Sequence, residues 1–155
     1  MQNQPTEINL IDAFERIPVN IFQTLTDGSK AAAQKVAELI RAKQQRGESC
    51  ILGMATGSTP RTMYAELVRM HKEEGLSFRN VVTFNLDEYY PIEKDAWQSY
   101  YNYMHRNLFQ HIDIDPANIY IPDGELPKEA IKEHCAAYEK KIEDAGGIDL
   151  QILGI

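Results

Sequence analysis

Cysteine is scarce in this chain. Cys50 and Cys135 are the only two, and they lie far apart. That spacing gives neither a disulfide framework nor a metal-ligand set, so the expectation is two reduced, buried thiols in a cytoplasmic protein without a metal site. Long apolar runs are missing as well: none reaches the roughly 18 residues of a helical membrane span. The start, Met1-Gln-Asn-Gln-Pro-Thr-Glu7, lacks the basic residues and apolar run of a secretion signal. Positive charge is in short supply. Lys and Arg number 16 against 23 Asp and Glu, a formal net charge of −7. This balance argues against nucleic acid as a partner, which needs a broad basic face. It argues equally against an anionic membrane surface. A small anionic ligand stays open, because backbone N–H groups alone can make a pocket positive.

What is present suits one globular domain with a core. Of the 155 residues, 43% are apolar and 25% charged. Residues 8–16 read as a short amphipathic helix ended by Pro18, and residues 19–25 as a short strand. Thr26-Asp27 offers capping chemistry for a helix over residues 31–46, stopped by Gly47. Residues 50–54 and 81–84 read as buried strands. Between them residues 60–74 carry Tyr64, Leu67 and Val68 on one helical face, with Gly75 after the end. A further helix is predicted over residues 99–111, a strand over 118–121, a long helix over 127–145 closed by Gly146-Gly147, and a last strand over 148–153. Strands alternating with helices predict an α/β fold, a parallel sheet with helices on both faces. The chain stops at Leu153-Gly154-Ile155, at the end of a core strand. Functional loops follow such ends, so the expectation is the N-terminal part of something longer.

Two stretches carry chemistry. In Gly53-Met-Ala-Thr-Gly-Ser-Thr-Pro60 a buried strand empties into small and hydroxylated residues before a helix. The first N–H groups of a helix lack internal partners and carry partial positive charge. Gly57 allows a tight turn and close approach, Ser58 and Thr59 can cap the helix or donate to an anion, and Pro60 suits the first helical position. Residues 56–59 can thus cradle a phosphate without lysine. They describe a well-made helix start equally well. Neither a P-loop nor a Gly-x-Gly-x-x-Gly pattern is present. The second stretch is Asn85-Leu-Asp-Glu-Tyr-Tyr90, where Asp87 and Glu88 follow a strand. Adjacent carboxylates repel, so partial desolvation there raises at least one pKa and makes a general base. A solvated acidic turn is the plain alternative; the flanking Phe84, Leu86, Tyr89 and Tyr90 count against it.

Leu52-Gly-Met-Ala-Thr-Gly-Ser-Thr-Pro60, then Val82-Thr-Phe-Asn-Leu-Asp-Glu-Tyr89, then Ser99-Tyr-Tyr-Asn-Tyr-Met-His-Arg-Asn-Leu-Phe109 together resemble the glucosamine-6-phosphate deaminase (isomerase) family. The resemblance runs from about residue 19 to the end and leaves residues 1–18 as an extension. It implies a Rossmann-like fold and conversion of glucosamine 6-phosphate and water to fructose 6-phosphate and ammonia, with no redox cofactor. Asp87 would move a proton between C2 and C1 of the opened sugar. Thr56, Gly57, Ser58 and Thr59 would bind the sugar phosphate, and Glu88 would line and shape the substrate site with Tyr89. The family's ring-opening histidine and its phosphate-clamping basic residues would lie beyond residue 155. His71, His105, His111 and His134 match none of that and are expected to pack or face solvent. This chain alone is therefore expected to lack deaminase activity. A 6-phosphogluconolactonase-like esterase is the nearest rival, but there arginine usually follows the acidic pair, and here Tyr89 does. A sugar-phosphate-binding module without catalysis is the other. Family members are often homo-oligomers, and residues 97–103 could serve as core or interface.

Overall fold

The computed structural model describes residues 17–154. The helix expected over residues 8–16 lies outside them. Helix α1, Leu25–Gln45, starts earlier than the sequence suggested. Thr24 is extended and caps it: its hydroxyl oxygen accepts from the Asp27 N–H at 3.1 Å and donates to the Asp27 carboxylate at 2.7 Å. This reciprocal cap needs a hydroxyl and an acid three residues apart, a spacing that Thr24 and Asp27 have and Thr26-Asp27 lacks. The strand expected over residues 19–25 is absent, since no neighbouring strand offers it a ladder. Gly47 closes α1 in the left-handed region at φ +69°, with the Glu48 N–H donating to the Lys43 carbonyl at 2.9 Å.

Strand β1 (Cys50–Met54) is buried throughout, as a continuous apolar run flanked on both edges must be. Helix α2 (Arg61–Glu74) ends at Gly75, and β2 (Val81–Asn85) follows. Helix α3 (Tyr100–Asn107) is shorter than predicted: the backbone breaks at Leu108, φ −143° and ψ −65°, into a tight turn over Phe109–His111. Leu108 and Phe109 are both buried. Consecutive residues of one helix point apart, so the break is what turns both into the core. Strands β3 (Ile119–Tyr120) and β4 (Leu150–Gln151) are also shorter than expected, and α4 spans Ile131–Asp144.

All four strands are parallel, in the order β3-β2-β1-β4. Alternate residues of β1 and β2 supply two faces. Cys50, Leu52, Met54 and Val81 join Ala33, Val36 and Ile40 of α1, Tyr64 and Leu67 of α2, and Met104 of α3 in the main core. Phe84 points the other way, stacked on Tyr120 at 4.7 Å and edge-on to Tyr138 of α4 at 5.8 Å. Helices therefore cover both faces, as the alternating pattern predicted. Cys50 is buried; Cys135, on α4, is exposed, which corrects the expectation of two buried thiols. Nothing packs outside α4 among the described residues to cover it. The strand order reverses at β1: β2 and β3 lie to one side and β4 to the other. In such sheets the crevice opens at the carboxyl ends of the strands flanking the reversal. A cavity of about 410 Å³ lies there, lined in part by Phe22, Thr24, Thr59, Pro60, Ile152 and Leu153.

Candidate active site

The loop leaving β1 is held by two tyrosines. Tyr64, fully buried on α2, donates its hydroxyl to the Ala55 carbonyl at 2.6 Å. Burial pushes that phenol far above its ordinary pKa, so it stays a donor. Tyr103 of α3 donates to the Gly57 carbonyl, also at 2.6 Å. Gly57 sits at φ +99°, where side chains are strained, and the space a Cβ would fill is open. Both tethers take carbonyl oxygens. Among the described residues, the N–H groups of residues 56–59 find no protein acceptor. Pro60 occupies the cap of α2 and not the first helical position predicted for it, which Arg61 takes, and no side chain caps the helix. The hydroxyls of Ser58 and Thr59 are thus not spent on capping, and both residues are exposed beside Gly57. Free N–H groups and unspent hydroxyls beside a helix start are what an anion cradle requires.

The second stretch comes alongside. The Leu86 N–H donates to the Met54 carbonyl at 3.1 Å, drawing the exit of β2 against the exit of β1. Asp87 follows, exposed on that rim. Its carboxyl lies above the ordinary value of 3.8, first through loss of surrounding water and second through the charge of Glu88. Glu88 itself is engaged by backbone. One oxygen accepts from the Tyr89 and Tyr100 N–H groups at 2.9 and 2.8 Å, the other from Tyr101 N–H at 2.9 Å. It thereby plugs the N-terminus of α3, whose remaining free N–H at Asn102 donates to the Ser99 cap at 3.0 Å.

Tyr100 joins the two stretches. Its phenol is raised, first by a hydrogen bond with the Tyr89 hydroxyl and next by loss of water; the Thr56 hydroxyl opposes the rise and the Asp87 charge adds to it. Thr56 and Asp87 therefore both lie close to Tyr100, beyond the adjacent ends of β1 and β2. The sequence reading gave Tyr100 and Tyr103 no role in the site, because their roles depend on where α3 lies against β1 and β2. Gly124 was missed as well. A Cβ there would stand 2.7 Å from the Tyr89 carbonyl oxygen and would clash with Ile92 Cγ2. The Ile92 N–H donates to the Gly124 carbonyl at 2.9 Å, so this glycine lets the two loops close together.

The histidines lie elsewhere. His71 bonds the Leu76 carbonyl at 2.6 Å, His111 the Arg106 carbonyl at 3.0 Å, and His134 accepts from Asp123 N–H at 3.2 Å. His105 packs against the rings of Tyr101 and Phe109. Trp97 is exposed under the Arg106 guanidinium at 3.5 Å, while Tyr103 is buried, so residues 97–103 divide between surface and core. Among the described residues no three His, Cys, Asp or Glu are grouped to hold a metal ion, and no helix is long and apolar enough to cross a membrane.

Residues 23–155 match the family model described as glucosamine-6-phosphate isomerases/6-phosphogluconolactonase. A glucosamine-6-phosphate deaminase-like protein of Bacteroides thetaiotaomicron is 46% identical over 149 residues, which are 96% of this chain and 22% of that protein. The glucosamine-6-phosphate deaminase of a Thermoanaerobacter species is 45% identical over 131 residues, 84% of this chain and 51% of that enzyme. A solved monomeric glucosamine-6-phosphate deaminase aligns with a TM-score of 0.80 and 40% identity over 86% of this chain and 53% of that one. The chain thus spans about half the length of these deaminases. With the three motif blocks in place on a parallel sheet and the family model matched almost throughout, the chain belongs to the glucosamine-6-phosphate isomerase/6-phosphogluconolactonase family.

Proposed function

We propose that this chain supplies the proton-transfer and phosphate-binding half of a glucosamine-6-phosphate deaminase. The observation that carries this reading is the approach of the two strand exits, joined by the Leu86 N–H on the Met54 carbonyl, which brings Thr56 and Asp87 close to Tyr100. Residues 56–59 hold the phosphate through free N–H groups and hydroxyls. That anchor brings C2 of the open-chain sugar to Asp87. The carboxylate, made more basic by lost water and by Glu88, takes the C2 proton and leaves an enolamine. The same carboxyl returns the proton to C1, giving an imine at C2. Water adds to that carbon, the C2–N bond breaks, and ammonia and fructose 6-phosphate result. One group serving both transfers needs only that it stay within hydrogen-bond reach of adjacent carbons. Glu88, fully occupied by three N–H groups, is a positioning residue: it fixes the start of α3 and with it Tyr100.

Ammonia release measured on the protein at its natural length tests this. Asp87→Asn is expected to lower kcat by about 10²–10⁴ while KM for glucosamine 6-phosphate moves only a few-fold. Turnover within a few-fold of wild type would remove Asp87 from the chemistry. Lactone hydrolysis without ammonia release would place the protein in the other branch of its family. The 155-residue chain, whose histidines all lie away from the pocket, is expected to bind sugar phosphate and release no ammonia.

A further inference from the structure

The cradle has a cation of its own. Arg61 is the first residue of α2, immediately after Pro60, and is exposed. A cation in the first turn opposes the partial positive charge of a helix N-terminus, a cost that an anion bound there removes. No acidic residue in that turn answers it. Ion pairs among the described residues engage Arg41, Arg46, Arg69 and Arg79 and leave Arg61 out. Helical side chains lean toward the N-terminus, which carries this one back over the loop. Its charge lies close enough to the Tyr103 phenol to offset part of the rise that burial causes there. The Tyr103 hydroxyl holds the Gly57 carbonyl at 2.6 Å. Arg61 therefore stands at the lip of the cradle, beside the tether that fixes it and the open side of Gly57.

We propose that Arg61 contacts the phosphate group directly and sets the preference of this site for a phosphorylated over a phosphate-free sugar. The proposal rests on the phosphate reading of the cradle given above. A guanidinium fork matches two phosphate oxygens, and its bonds to them are charge-assisted. The phosphate then meets free N–H groups, two hydroxyls and a cation within residues 56–61, where the resemblance placed the cation only beyond residue 155.

Calorimetric titration of fructose 6-phosphate, with fructose as the phosphate-free control, into the 155-residue chain tests this. Arg61→Met is expected to weaken fructose 6-phosphate binding about tenfold or more and to flatten its salt dependence. Arg61→Lys, which keeps the charge and loses the fork, should fall between. Because the side chain is exposed and opposes the helix charge, neither variant should melt below wild type. Binding by Arg61→Met within twofold of wild type overturns the proposal and leaves the phosphate reading standing. Equal loss in both variants together with a lower melting temperature overturns it too, since Arg61 would then act through Tyr103 and the fold. If wild type binds neither sugar, the phosphate reading and the proposal fall together.

Discussion

Asp87 holds its proton more tightly in the folded chain than a carboxyl does in water. Between 3.8 and its folded value the native state binds more protons than the unfolded one, so stability falls as pH rises through that window. The penalty remains at neutral pH. Asp87→Asn removes it: the variant should melt slightly above wild type at pH 7, and the gap should close as pH falls toward 3.8. A melting temperature at neutral pH equal to or below that of wild type would show that the carboxylate is not held against its solvation. Gly57 makes the opposite trade. Its backbone angle of φ +99° suits glycine, so Gly57→Ala should cost about 1–2 kcal/mol in denaturant unfolding. The same change should weaken sugar-phosphate binding, because relieving the strain turns the loop N–H groups away from the ligand.

Among the elements, α3 connects structure to site most directly. Glu88 answers its first two N–H groups and Ser99 the third. Glu88→Ala should destabilise the chain by about 1–2 kcal/mol in denaturant unfolding. It should also lower kcat, since Tyr100 loses its fixed place and Asp87 loses the neighbouring charge that makes it more basic; full activity after loss of the cap would separate α3 from the site. Local signals made β1, α2 and β2 legible in the sequence: apolar runs with a glycine stop after each helix. The break at Leu108 was not legible, because the helical pattern of Tyr101, Met104 and Leu108 continues through it and only tertiary packing of Phe109 demands the turn. The edge strands β3 and β4 were read too long for a related reason. Apolar residues there pack against the core whether or not they pair in a ladder.

At the scale of the whole molecule, two carboxylates clamp distant segments. Burial alone would raise Asp149, but the Ile51 N–H at 2.9 Å and Lys43 at 2.7 Å outweigh it and hold its pKa below 3.8. Asp113 is likewise lowered, burial being outweighed by the Phe78 N–H and the Ser77 hydroxyl. A depressed folded pKa gives stability that is present above the unfolded value and is lost as pH falls through the folded one. Asp149→Asn should therefore lower the melting temperature at pH 7 and flatten its decline into acid; an acid limb as steep as that of wild type would dismiss the clamp. The site was readable in part for the same geometric reason. Its cradle and its acidic pair are contiguous in sequence and follow strands, so each shows as a motif. Tyr100 and Tyr103 gain their places only when α3 folds across the ends of β1 and β2.

The tethers of β1 reach far along the chain. The Gly57 carbonyl waits for a hydroxyl 46 residues later, and the Ile51 N–H for a carboxylate 98 residues later. During synthesis the central strand leaves the ribosome early, yet Gly57 in its exit loop has no tether until Tyr103 emerges, and the Ile51 N–H has no carboxylate until Asp149 does. A nascent chain stalled before α3 should be cut by protease within residues 55–60, and one released after residue 149 should resist. On the proposed reading of the loop, ligand competence is a late event, conferred on an early segment by the residues that follow it.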